Sequence, residues 1–243
     1  MKPTFKILVA AGLLIATNCQ AQNLIRFYEN AKVGYKDPSG KVVVPAKYYA
    51  GSEFIEGYAI IVDNNKRGFL NEKGEIAIPL QYEDVGPFSK TGVARVMMNK
   101  KYGFIDTKGK WLLEPKYDFA EDFSEGLAVV ANQGKYGYIN TDLKEAIPLK
   151  YEGARKFSNG LAAVSENKQW GYINTKSDWQ IKPQYENAYP FNANQQTQVS
   201  INHELYLIDT KGTVVKKIEM HREEEEFEHR GHRENDKEDK DKD

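Results

Sequence analysis

One short segment keeps returning along this chain, and it limits the fold more than anything else in the sequence. It reads KRGFLN at Lys66–Asn71, KYGFID at Lys101–Asp106, KYGYIN at Lys135–Asn140 and QWGYIN at Gln169–Asn174. Its glycine falls at Gly34, Gly68, Gly103, Gly137 and Gly171, and Tyr206 holds the place in a sixth, decayed copy. A tyrosine follows in register (Tyr48, Tyr82, Tyr117, Tyr151, Tyr185), then a phenylalanine (Phe54, Phe88, Phe123, Phe157, Phe191), both stepping by 34 or 35 residues. Pro45, Pro79, Pro115, Pro148 and Pro183 form a looser fourth ladder. A catalytic motif occurs once or twice in a chain, whereas a packing unit occurs as often as the architecture needs it. A period of this length means stacked supersecondary units, each burying the apolar face its neighbour cannot bury alone.

Each unit reads as β-structure. The glycine segment is short, aromatic and β-branched, and in a strand its alternate residues share a face. In KYGYIN the two tyrosines therefore point one way, and Gly137 and Ile139 the other. A glycine on that second face leaves room for a backbone or a large side chain to come close. A turn of the form Asp106-Thr-Lys-Gly109 follows, suited to a type I turn closed by a left-handed glycine. Leu143 and Ser177 replace that glycine in two copies, so those turns are either strained or differently shaped. A second strand ends at the proline, which lacks a backbone donor and so belongs at a strand end or edge. A third follows the Phe-Ser-x-Gly corner. The expected fold is all-β: six three-stranded antiparallel units of 34–35 residues, about eighteen strands, in an open solenoid-like superhelix. A closed six-bladed ring is the alternative, disfavoured because propeller blades usually have four strands.

The ends of the chain differ from this body. Residues 1–21 have the layout of a secretory signal peptide: Lys2 and Lys6, an apolar run from Ile7 to Ala16, and a small residue, Ala21, at the cleavage position. That run is far short of a bilayer span, which takes about 20 residues. Cys19 is the only cysteine, and its lipidation is the alternative to simple cleavage, although Ala16-Thr17-Asn18 fits a lipobox poorly. Cleavage after Ala21 leaves a mature chain without disulfides or thiolate chemistry. Residues 221–243 carry 11 acidic and 6 basic side chains with one aromatic, a composition that cannot offset the entropy of ordering. A single repeat domain, 22–220, is expected between them. The whole chain carries −1, the tail −5 and the leader +2, which leaves +2 for the body. That balance argues against a nucleic-acid partner, which would call for a basic stripe.

A search for reaction chemistry finds little. The body's one histidine, His203, sits in the last hairpin loop, and Ser89, Ser124 and Ser158 recur with the period as parts of a corner, so no nucleophile–base pair is expected. Acidic pairs such as Glu83-Asp84 and Glu121-Asp122 read as solvated turns and linkers. His221, His229 and His232 lie among acids, without the fixed spacing of a metal site. No cofactor and no metal are expected. Trp111, Trp170 and Trp179 are the candidate ligand-contact aromatics, on which a sugar could stack; core packing is the competing reading.

The order Trp-Gly-Tyr-Ile-Asn at Trp170–Asn174 and Phe-Ser-Glu-Gly-Leu-Ala-Val-Val at Phe123–Val130 resembles the WG-containing repeat family across roughly Val33 to Gly212. Only one copy keeps the tryptophan; Val33, Arg67, Tyr102, Tyr136 and Leu205 replace it elsewhere. The resemblance implies a bacterial, exported scaffold for contacts and supplies no catalytic residues. The expectation is therefore a non-catalytic interaction protein, periplasmic or secreted, with another envelope or extracellular protein as partner. A glycan- or peptidoglycan-binding module is the alternative. No membrane span is expected, and the oligomeric state is open.

Overall fold

The structure, a computed structural model, describes residues 24–219. The expected signal peptide, Cys19 and the charged tail fall outside the described residues. Within them the chain is all-β, with 23 strands in six antiparallel sheets, each built from consecutive strands. The first sheet has three strands (Ile25–Glu29, Lys32–Lys36, Val42–Tyr48) and the other five have four.

The fourth sheet illustrates the unit. Phe119–Ala120 pairs with Leu127–Asn132, which pairs with Lys135–Asn140, which pairs with Glu145–Tyr151. The added strand is only two residues long and follows Tyr117 of the preceding sheet after one residue, Asp118. The last strand of one sheet thus runs almost straight into the first strand of the next. This corrects the expected count of three strands: two residues are too short to show a period of two, so the extra strand has no sequence signature.

The glycine ladder has a specific cause. Tyr136 pairs with Tyr151 and Tyr138 with Ile147, so one residue on the middle strand faces three on its neighbour. The surplus makes a bulge around Pro148 that folds over Gly137. A Cβ on Gly137 would lie 2.5 Å from the Ile147 carbonyl oxygen and 2.7 Å from Pro148. Gly34, Gly68, Gly103 and Gly171 meet the equivalent carbonyls of Val44, Ile78, Leu113 and Ile181 at 2.5–2.6 Å. The backbone that the glycine admits is therefore that of its own sheet. The proline takes either of two places in the bulge, directly after the close carbonyl (Pro148) or one residue later (Pro115, Pro183), which is why its ladder is loose. In the sixth sheet Tyr206 pairs directly with Lys217, with no such bulge over it, and no glycine is needed.

Both faces of the middle strand are covered in the second to fifth sheets. Tyr138 and Ile139 are fully buried on opposite faces. Tyr138 joins Leu127, Ile147 and Tyr151 against Phe157, Val164 and Ile173 of the next sheet. Ile139 joins Ala128 and Val130 against Phe104 and Tyr117 of the previous one. The phenylalanine ladder packs on the aromatic that follows the glycine in the preceding unit, with ring centroids 4.9 Å apart for Tyr138–Phe157 and 4.9 Å for Tyr172–Phe191.

Five such cores join the six sheets in sequence, and among the described residues none joins the sixth to the first. The end faces match this. Gln196 and Gln198 stand where Leu161 and Ala163 pack in the fifth sheet. Lys36 stands where Leu70, Ile105, Ile139, Ile173 and Ile208 are buried. Four-stranded sheets packed face to face are propeller-like, while five cores for six sheets are solenoid-like.

Turn chemistry accounts for most of the rest. All six long hairpins turn through two left-handed residues, such as Asn64-Asn65, Asn99-Lys100 and Asn167-Lys168, the type I′ geometry that suits the twist of paired strands. Leu143 and Ser177 also have positive φ, 61° and 68°, and keep the hydrogen bond that closes the glycine turns. Those two turns are thus strained rather than reshaped.

Candidate functional site

Four short strands bring a set of unlike residues together at one edge of the array. A cavity of about 460 Å³ opens there, lined by residues of the third to sixth sheets, including Arg95, Tyr102, Phe119, Glu121, Asp122, Arg155, Lys156 and Pro190. These side chains break the repeat. The position of Glu121 is Ser52, Gly86, Arg155 and Tyr189 in the other units, and that of Arg95 is Ile60, Val129, Ala163 and Gln198, with an arginine again only at Arg26 of the first sheet. The repeat supplies a constant backbone, and the cavity is assembled from positions where the units differ.

Arg95 organises one wall. Its Nε donates to Asp122 Oδ1 at 2.6 Å and its Nη1 to Asp84 Oδ2 at 2.6 Å. Tyr102 Oη donates to the same Asp84 oxygen at 3.1 Å, and the Arg95 guanidinium lies 5.4 Å from the Tyr102 ring centroid. Burial works against the Arg95 charge, but the hydrogen bond to Asp84 and the two carboxylates outweigh it and hold its pKa above the ordinary value. Charge-assisted bonds of this kind are the strong ones. This wall is satisfied internally.

The opposite wall is not. Arg155 Nε donates to the Ala188 carbonyl at 2.7 Å and Nη2 to Asn187 Oδ1 at 3.1 Å. The guanidinium lies over both the Trp170 and Tyr189 rings, 5.0 Å from each centroid. It is held by neutral acceptors and aromatic faces, and it makes no ion pair with a described carboxylate, unlike Arg26, Arg67 and Arg95. Lys156 beside it is exposed and likewise unpaired. Glu121 accepts no side-chain hydrogen bond from a described residue; burial pushes its carboxyl up, with Lys156 nearby pulling the other way.

The candidate tryptophans lie apart. Trp111 is half-buried, edge-on to Tyr82 at 6.0 Å, against the core between the second and third sheets. Trp179 is edge-on to Tyr151 at 6.0 Å, at the core between the fourth and fifth. Trp170 packs on the last core under Arg155. They occupy three interfaces and form no common stacking face. His203 is a solvated turn residue, 95% exposed, whose backbone N–H donates to Glu186. Ser124 and Ser158 tie one corner to the next, donating to the Phe157 and Phe191 carbonyls at 2.8 and 2.6 Å.

The acidic pairs are more than solvated linkers. Glu83, Asp118, Glu152 and Glu186 form a further ladder, each accepting backbone N–H groups from the type I′ turn of the following sheet: Asn99 at 2.9 Å, Gln133 at 2.8 Å, Lys168 at 2.8 Å and His203 at 2.9 Å. The sequence signal was a steady step of 34–35 with Glu and Asp exchanging. Among the described residues no group of His, Cys, Asp and Glu is arranged to hold a metal ion.

This is a β-repeat protein whose variable residues gather at a charged cavity. The profile described as "WG containing repeat" matches residues 34–66, 68–102, 102–136, 136–170 and 170–194, and the chain belongs to that family. No curated protein sequence matches it. Among solved structures, one described as the eukaryotic initiation factor is similar with TM-score 0.51 at 13% identity, over 81% of this chain and 63% of that one. Hsv2p of Kluyveromyces lactis is similar with TM-score 0.50 at 12% identity, over 77% of this chain and 71% of that one. A Kluyveromyces lactis Hsv2 with loop 6CD replaced by a Gly-Ser linker has TM-score 0.46 at 13% identity, over 67% of this chain. The chain spans 63% of the first of these and 62% of the last. At such identities the likeness is one of fold alone.

Proposed function

We propose that this chain is an exported, non-catalytic interaction protein of the cell envelope or extracellular space, binding a protein partner through the short-strand edge of its sheets. The observation that carries this reading is the gathering of repeat-breaking charged residues at one cavity while the packing positions stay constant. Repeat arrays use variable positions on a fixed scaffold in this way. Protein is preferred to sugar as the ligand because the three tryptophans lie half-buried at separate interfaces, whereas sugar stacking needs an open aromatic face. Export rests on the layout of residues 1–21. Among the described residues no helix is long and apolar enough to cross a membrane.

The test is a cross-linking capture from the native cell envelope, using the tagged chain with and without residues 221–243. One dominant protein partner, retained at high stringency and recovered reciprocally when the partner is tagged, is the expected result. Polysaccharide recovered in place of protein would overturn the protein reading and turn attention to the aromatic side chains.

A further inference from the structure

The cavity contains groups of both signs that form no direct ion pair with a described residue. Arg155 is fixed in orientation by the Ala188 carbonyl, by Asn187 and by two aromatic rings, with no described carboxylate in contact with it. Lys156 extends beside it. Glu121 lines the same space and forms no ion pair with a described residue. Arg95 and Asp122 close the far wall as a completed pair at 2.6 Å. A purely anionic ligand entering here would satisfy Arg155 and Lys156 but would crowd Glu121 and Asp122. A purely cationic ligand would satisfy Glu121 and crowd the two cations. Like charges brought together in a partly desolvated site are strongly disfavoured.

We propose that this cavity binds a polypeptide segment carrying an acidic and a basic side chain on one face, the acid against Arg155 and Lys156 and the base against Glu121. The inference rests on the protein-partner reading above and names the chemistry of its contact. An extended segment fits, because residues i and i+2 share a face. Arg155, held rigid before binding, can meet a carboxylate without further ordering, which is where preorganisation improves affinity.

The experiment is fluorescence anisotropy on the full chain with four labelled hexapeptides, acetylated and amidated so that terminal charges do not contribute. They are Ser-Lys-Ser-Asp-Ser-Lys, which sets both signs on one face at i and i+2, and the same sequence with Asp at all three charged places (all-Asp), Lys at all three (all-Lys) or Asn at all three. The mixed-charge peptide is expected to bind saturably, and the other three at least about tenfold more weakly, the scale of one lost charge-assisted hydrogen bond. Lys156→Gln and Glu121→Gln should each weaken it by about tenfold as well. Both positions lack side-chain hydrogen bonds to described residues, so the variants should fold; circular dichroism checks this. Equal binding of the all-Asp or all-Lys peptide, unchanged affinity in both variants, or no saturable binding of any peptide would overturn the proposal. A partner captured from the envelope by wild type and both variants alike, with no peptide binding, would overturn this assignment and leave the protein-partner reading standing.

Discussion

Gly137→Ala and Gly160→Ala look equivalent in a sequence and should differ sharply in the protein. Gly160 sits at a corner with φ +74° and nothing within 4 Å of an added Cβ, so its cost is the left-handed backbone alone, about 1 kcal/mol. Gly137 has no such φ. Its added Cβ would lie 2.5 Å from the Ile147 carbonyl oxygen and 2.7 Å from Pro148 C and O. Those are backbone atoms of a bulge, and the proline ring limits how that bulge can move. Relief must come from opening the pairing between Lys135–Asn140 and Glu145–Tyr151, which carry Tyr138, Ile147 and Tyr151 into the core with the fifth sheet. Overpacking of this kind costs about 3 kcal/mol. For a domain of this size, where about 1 kcal/mol moves Tm by about 2–4 °C, Gly137→Ala should lower Tm by about 6–12 °C and Gly160→Ala by about 2–4 °C. Calorimetry on the two variants decides it. A Gly137→Ala loss equal to or smaller than that of Gly160→Ala would refute the bulge as the reason for the glycine ladder.

Other substitutions test the remaining joints. Tyr49 stands where Glu83, Asp118, Glu152 and Glu186 cap the next hairpin and is 72% exposed, so Tyr49→Glu should cap the Asn64-Asn65 turn and gain about 1 kcal/mol in urea unfolding; no gain would deny the acidic ladder its role. Arg95→Leu leaves Asp122 without its cation and Asp84 with only Arg67, 3.7 Å away, and should cost about 1–2 kcal/mol by the same assay, against no change if the network is merely surface charge. Asp118 is held below the ordinary carboxylate range first by Lys101 and then by the Gln133 N–H, and Glu186 first by the His203 N–H. Their stabilisation is complete above the unfolded pKa and fades as pH falls through the folded one, so the urea midpoint should drop below about pH 4.5. Glu121 is shifted the opposite way by burial, so Glu121→Gln should raise the midpoint at pH 7 and leave it unchanged at pH 3.

What the sequence discloses follows from how each feature is encoded. The period, the strand through Lys135–Asn140 and the turn after Asn140 are legible because one residue type repeats where the backbone permits little else. The strand Phe119–Ala120 is hidden because two residues carry no alternation. The bulge is half-visible: the proline marks it, but only pairing shows that Pro148 lies across from Gly137. The acidic ladder is masked by Glu–Asp exchange and by a second acid beside it in Glu83-Asp84. The cavity is the least legible. Glu121, Arg155 and Lys156 each occur once at their place in the unit, and Arg95 recurs only as Arg26, so a search for recurrence passes over them, and only the stacking of the sheets brings them within one space.

The aromatic after the glycine shows how the constant and variable parts are coupled. Where it is tyrosine, its hydroxyl donates to the loop that follows the next short strand: Tyr35 to the Ser52 carbonyl at 2.9 Å, Tyr138 to Arg155 at 2.8 Å, Tyr172 to Tyr189 at 2.9 Å. In the second and third sheets it is Phe69 and Phe104, which have no donor, so the loops at Gly86 and Glu121 lack that tether. These are the loops of the two short strands beside which Arg95 binds Asp84 and Asp122. Arg95 thus does for these two loops what the hydroxyl does for the others, and it does so in the cavity wall; in the first sheet Arg26 holds the same place and bonds Gly51 and Glu53 beside the Tyr35 tether. Holding these loops by an ion network rather than by the repeat leaves the Glu121 position free of the packing pattern. The Tyr138 bond, meanwhile, fixes the backbone of Arg155 on the opposite wall. The cavity therefore has one wall anchored by the repeat and one by its own charges, and substitutions at Arg95 should alter its shape without disturbing the Tyr138–Phe157 contact between the fourth and fifth sheets.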